Sequence, residues 1–171
     1  MAAPDRRRLL PLAAAVNLTA VAVTVALMVL LTPPPGGAAP ADPLALAARL
    51  SLWPAAVLFA MIGGVIVARA LARALNPLDD PESRLQRVAQ RVLSNTVEQT
   101  LVFLPALWAL VVLLPPDRLG MAGVFTGLFV AGRLLFWVGY HIHPFARAPG
   151  MAMTMTVNLV TVARAAWLAV G

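Results

Sequence analysis

The chain has 171 residues, of which 61% are apolar and only 12% charged, against roughly 45–50% and about 25% in ordinary soluble domains. A soluble globular domain is excluded, and at roughly 20 apolar residues per bilayer crossing the chain fills four or five spans with only short connections. All 13 basic residues are Arg, against seven acidic residues, for a formal net charge of +6. In so apolar a chain that excess points to cytoplasmic loops and away from a nucleic-acid surface. The absence of Cys rules out a disulfide framework, a thiolate metal site and a cysteine nucleophile.

The first apolar run is Leu9 to Leu31, preceded by Arg6, Arg7 and Arg8 and followed by Pro33-Pro34-Pro35-Gly36-Gly37. The triple Arg places the N-terminus in the cytoplasm. Ala39-Pro40-Ala41 has the form of a signal cleavage site, but 23 apolar residues exceed the roughly 7–15 of a signal core. Residues 1–43 are therefore read as a retained anchor, with a long cleaved signal as the alternative. A second run covers about Leu46 to Leu75 and ends at Asn76-Pro77-Leu78-Asp79-Asp80-Pro81, where two prolines enforce a turn. Helical patterning resumes at Glu82, Arg-rich at first, and is almost wholly apolar from Thr100 to Leu114 before Pro115-Pro116-Asp117. The fourth span runs from about Leu119 to Tyr140, where His141-Ile142-His143-Pro144 breaks it, and the fifth from about Pro149 to Val170. Residues 44–171 thus form one four-helix transmembrane domain. In this topology Arg69, Arg73, Arg84, Arg87, Arg91 and Arg147 share the N-terminal side, Arg49 and Arg118 lie opposite, and Arg133 and Arg164 fall inside spans, where each needs a partner.

Arg84, Arg87, Arg91, Asn95 and Glu98 follow spacings of three, four, four and three, so on a helix they form one narrow polar stripe. With the lipid boundary near residue 92, Glu98 lies on the order of 9 Å deeper at 1.5 Å per residue. A charge at the bilayer centre costs roughly 2.5–3.5 kcal/mol even on the gentler insertion scales, so the stripe must face protein, water or a ligand. Arg133 and Tyr140, seven residues apart with Phe136 between them, share a face of the fourth span, and Arg133 is the expected partner of Glu98. Such a pair can serve simply to fix the register of two helices. The Arg gradient leading to it instead suggests an approach path for an anion.

These residues resemble the MAPEG family, the membrane-associated proteins of eicosanoid and glutathione metabolism. The likeness extends from about Arg69 to Val170. It rests on the Asn76-Pro77-Leu78-Asp79 connection, on Arg91-x-x-x-Asn95-x-x-Glu98 entering an apolar span, and on Gly132-Arg133 followed by Tyr140 and Arg147-Ala148-Pro149. The resemblance implies four-helix subunits assembled as a homotrimer, with glutathione held between subunits near the cytoplasmic side; the membrane is expected to be a bacterial inner membrane. Carried over residue by residue, Arg91, Asn95, Glu98, Arg133 and Tyr140 would bind the tripeptide. Guanidinium groups suit its carboxylates, Glu98 its ammonium, and a thiol beside Arg ionises more readily, supplying the nucleophile a Cys-free chain lacks.

The chain departs from the family pattern at several positions. Ser94 stands where glutathione-using eicosanoid synthases have Arg, and Phe136 where they have His. Met151, Ala152 and Met155 replace the Arg, Ser and Tyr tied to thiol activation and binding. Asp79 matches an acidic loop residue proposed to act in some members, although beside Asp80 and Pro77 it also reads as a solvated turn residue. Two functions follow. One is a glutathione-dependent transferase or peroxidase acting on lipophilic electrophiles; the other is a non-catalytic lipid-binding or scaffold member of the same family, which the substitutions favour. A small transporter is a third reading, without the broken helices or internal repeat that would support it.

The remaining features point to packing. His141 and His143 lack the Cys or carboxylate partners of a metal site, so no metal is expected. Thr154, Asn158 and Thr161 form a mild polar stripe suited to helix packing, and Gly120, Gly123, Gly127 and Gly63-Gly64 offer small faces for close helix approach. Trp53, Trp108, Trp137 and Trp167 suggest interfacial anchors. No Walker loop, HExxH, G-x-S-x-G or dinucleotide fingerprint occurs.

Overall fold

A computed structural model describes residues 6–36, 42–73, 81–143 and 145–171. Among them lie helices α1 (Arg6–Leu31), α2 (Pro43–Ala72), α3 (Arg84–Leu113), α4 (Gly120–Ile142) and α5 (Ala148–Val170), with a 3-10 turn at Pro116–Arg118. Each of the five helices is long and apolar enough to cross a membrane. The fold is an all-helical membrane bundle, as composition and periodicity required.

Helix boundaries follow local chemistry. Helix α2 begins at Pro43, earlier than its apolar run suggests, because the Asp42 carboxylate accepts the Leu44 N–H at 2.8 Å and proline suits the first helical position. It ends where Arg73 adopts a left-handed conformation (φ 53°). The Asn76–Asp80 connection, with Asp79, and the Ala39-Pro40-Ala41 segment lie outside the described residues. Helix α3 starts on Ser83, whose hydroxyl accepts the Gln86 N–H at 3.1 Å. It then runs unbroken from its Arg-rich first turns through Pro105 to Leu113.

Helices α2 and α3 lie side by side, as do α4 and α5. Contacts of α3 with α5 and of α2 with α4 close a four-helix bundle, and α1 stands outside it along α5, touching α4. The largest core cluster includes Phe103, Leu107, Leu110, Phe125 and Phe129, with Phe103 and Phe129 stacked at 4.2 Å between centroids. Towards the Arg-rich end a second cluster forms around Val57, Met61, Val92 and Phe136. Polar glue joins α3 to α5, where the buried Asn158 amide donates to Gln99 Oε1 at 2.8 Å and to the Gln99 carbonyl at 3.2 Å.

Close approach occurs at some of the glycines the sequence suggested and at others it did not: a Cβ at Gly64 would come within 3.1 Å of the Trp137 ring and one at Gly120 within 3.0 Å of Pro33. Cβ atoms added at Gly63, Gly123 or Gly127 would meet nothing within 4 Å, whereas one at Gly150 would run into the Phe136 backbone and lie 2.7 Å from the Gly132 carbonyl oxygen. Gly139 is similarly pressed against the Ala146 carbonyl. Gly150 lets α5 meet α4 backbone to backbone, and Gly139 lets the loop before α5 close on α4, at the Arg-rich end. Of the four Trp residues, Trp53, Trp108 and Trp167 are exposed, with Trp108 donating to Ser51 Oγ at 2.9 Å, and Trp137 lies against Gly64.

Candidate functional site

The polar stripe of α3 opens into a cavity of about 580 Å³ at the Arg-rich end of the bundle. Because its residues recur every three or four positions, one helix face supplies Arg91, Ser94, Asn95 and Glu98 to the same wall. The last turns of α4 contribute Phe136 and Tyr140, and the start of α5 contributes Arg147 and Met151. Arg91 and Glu98 are exposed in the single chain, while Asn95, Tyr140 and Arg147 are half-buried. Four of the five residues singled out in the sequence therefore line one cavity.

Arg133, the fifth, stands behind that wall, fully buried. Its Nη1 donates to Asn95 Oδ1 at 2.8 Å, its Nη2 donates to the Thr154 hydroxyl and approaches Met151 Sδ at 3.8 Å, and its guanidinium carbon lies 4.6 Å from the Phe136 ring centroid. Asn95 Nδ2 in turn faces Glu98 Oε2 at 3.4 Å. The expected direct Arg133–Glu98 pair is thus replaced by a relay through the Asn95 amide. The reason is geometric: Glu98 is on the exposed groove side of α3 and Arg133 is on its buried side, so the amide lies between them. Thr154, which the sequence suggested was packing polarity, belongs to this relay, while Asn158 packs α3 against α5 as expected. The second intramembrane Arg, Arg164, is half-buried, and its Nε has no hydrogen-bond partner among the described residues.

Cations and rings alternate along the cavity wall. The Tyr140 ring meets Phe136 edge-on at 5.5 Å and carries the Arg147 guanidinium at 4.6 Å from its centroid. Arg84, Arg87, Arg91, Arg147 and Tyr140 also line an adjoining recess of about 300 Å³. Arg87 donates to the Glu82 carbonyl at 2.6 Å. The site therefore concentrates guanidinium groups around one exposed carboxylate, which suits a ligand carrying carboxylates and an ammonium. His143 serves the loop: its Nδ1 accepts the Phe145 N–H at 3.2 Å.

A family model for the MAPEG family matches residues 46–167. The chain belongs to the MAPEG family. A relative in Synechocystis sp., the uncharacterized protein sll1147, is 31% identical over 118 residues, which is 65% of this chain and 83% of that protein. Family membership makes this an integral multi-pass membrane protein of the group associated with glutathione and eicosanoid metabolism, and the matched residues take in nearly all of α2–α5. Helix α1 lies outside them.

Three positions at which the chain departs from the glutathione-using MAPEG pattern, Ser94, Phe136 and Met151, lie on the cavity wall itself. Ala152 is buried, and Met155 Sδ accepts from Gln99 Nε2 at 3.3 Å. Sequence reasoning missed three polar lining residues, Gln90, Arg147 and Asn17. Arg147 served there as a topology-setting charge and as part of a three-residue fingerprint, although an Arg opening a span beside an aromatic stripe is itself a signal of anion binding. Asn17, on α1, also lines the cavity; an amide in an otherwise apolar span was the available clue.

Proposed function

We propose that the cavity binds glutathione, or a similarly anionic thiol, and presents it to a lipophilic electrophile dissolved in the membrane. One observation carries this reading: Arg91, Arg147, Asn95, Glu98 and Tyr140 converge on a single cavity of about 580 Å³, within the roughly 300–1,000 Å³ of small-molecule sites. Glutathione brings two carboxylates, an ammonium and a thiol, and the donor set matches them group for group. Arg91 and Arg147 fork onto carboxylates, Glu98 receives the ammonium, and Asn95, held by Arg133, orients Glu98. With Arg91 and Arg147 on the carboxylates, the sulfur reacts as the thiolate formed when its proton is lost to water at the open mouth. In a conjugation that thiolate forms the new carbon–sulfur bond while the electrophile's leaving group departs with its electron pair.

The Arg-rich mouth faces the cytoplasm under the positive-inside rule, with the N-terminus on the same side, in a bacterial inner membrane. Arg91 and Glu98 are exposed in the single chain, which fits a homotrimer in which a neighbouring subunit covers them. A second reading, a lipid-binding or scaffold protein without turnover, is favoured by Met151 occupying the wall at the position of the family's thiol-activating Arg.

The test is thermal unfolding of the detergent-solubilised protein with millimolar glutathione, followed by spectroscopic turnover of chlorodinitrobenzene. A rise in Tm with turnover supports the transferase, and a rise without turnover supports a binding protein. An unchanged Tm overturns glutathione binding.

A further inference from the structure

Helix α1, outside the family-matched residues, lies against the site. Asn17 lines the polar cavity beside Glu98 and Arg91. Its Nδ2 donates one hydrogen within its own helix, to the Ala13 carbonyl at 2.9 Å, which leaves the amide oxygen and the second amide hydrogen as the groups α1 offers to a ligand. One turn earlier, Leu12, Ala13 and Val16 form one side of a separate chamber of about 300 Å³, closed on the other side by His143, Phe145 and Ala148. Ala148 lines both cavities, so the chamber and the polar site adjoin at that residue.

The chamber wall is fixed in place. The His143 and Phe145 rings stack at 5.6 Å, and the Phe145 N–H to His143 Nδ1 bond closes the loop that carries them. With only imidazole among apolar side chains, the chamber offers nothing to an ion and suits a hydrocarbon or aryl group.

We propose that this chamber is the binding site for the apolar end of the co-substrate, a small bilayer-soluble electrophile, and that α1 is a working wall of the site. The assignment rests on the thiol-binding reading above and adds the place of the second reactant. The electrophilic carbon sits at the Ala148 junction, its hydrocarbon body among Leu12, Val16 and Phe145, and the anionic thiol approaches from the Arg-rich cavity. Neither reactant has to enter the other's environment.

The experiment is photolabelling of the full chain in nanodiscs with adamantyl diazirine, mapped by mass spectrometry, with chlorodinitrobenzene or a free fatty acid as competitor. Label is expected on the peptides carrying Leu12–Val16 and Phe145, reduced at least tenfold by Val16→Trp or, should that variant not fold, by Ala13→Phe. Leu18→Trp, on an outward face of α1, should leave it unchanged. Competition by chlorodinitrobenzene supports the assignment. Competition by fatty acid alone gives the chamber to a lipid tail and overturns it, as does label spread evenly around α1, or a mature chain whose mass shows that α1 has been removed. The glutathione-induced rise in Tm is measured on the same sample. Label in the chamber without that rise sinks the thiol reading, and the rise without label sinks the chamber.

Discussion

Arg133 on α4 holds Asn95 on α3 through an Nη1–Oδ1 bond of 2.8 Å, and that bond decides which way the Asn95 amide faces. With its oxygen committed to the guanidinium, the amide nitrogen is turned towards Glu98, at 3.4 Å. A buried cation thus positions a surface carboxylate without touching it. Arg133→Ala removes hydrogen bonds to Asn95 and to Thr154, and bonds involving a charged group contribute about 1.5–3 kcal/mol each. The expected outcome is a clear fall in the Tm of the ligand-free protein in detergent. Arg133→Lys, which keeps the charge but loses the fork, should fall between Ala and wild type. Equal stability of all three proteins would show that the relay carries no structural weight.

Glu98 and Arg147 should behave in the opposite way. Glu98 is exposed and Arg147 half-buried, so Glu98→Gln or Arg147→Ala leaves the ligand-free Tm close to wild type. Under the thiol-binding reading each removes a charge-assisted contact, which is worth about 1.5–3 kcal/mol or roughly tenfold to a hundredfold in affinity. The glutathione concentration needed for half the maximal Tm shift should rise by about that factor. Calorimetric titration provides an independent measurement.

Span number, span ends and the shared wall of Arg91, Asn95 and Glu98 were legible because each depends on periodicity or on a breaker within one segment. What was not legible depends on how two helices meet. Arg133 and Glu98 are complementary charges, and the sequence cannot show that they sit on opposite sides of α3 with an amide between them. Gly123 and Gly127 share a helix face as a contact stripe should, but their neighbours leave them open space. Asn17 lies far from the stripe along the chain, and only the packing of α1 along α5 brings it to the cavity.

The Asn158–Gln99 pair tests the glue between α3 and α5 separately from the site. Both side chains are buried and bond to each other at 2.8 Å, and interhelical bonds of this type average about 0.6 kcal/mol, reaching roughly 1.7. Asn158→Leu should therefore lower the Tm modestly. It should leave the glutathione-induced shift intact, because neither residue lines the cavity. A variant that lost the shift while staying folded would tie the seam to the site.

The sharpest structural prediction concerns Gly150. Its missing side chain lets the start of α5 press on α4, where a Cβ would collide with the Phe136 backbone and sit 2.7 Å from the Gly132 carbonyl oxygen. Both obstacles are main chain, so no rotamer change relieves them, and overpacking that strains a core by about 1–3 kcal/mol with movable side chains should cost at least that here. Gly150→Ala has to push α5 away from α4. That displacement would carry Arg147 and Met151 off the cavity wall and pull Thr154 from Arg133, so both Tm and ligand response should drop together. Gly127→Ala is the matched control: its Cβ would meet nothing within 4 Å, and Ala is the better helix former, so its Tm should hold or rise. Comparable Tm values for the two variants would mean that α4 and α5 do not make the close contact on which the site geometry depends.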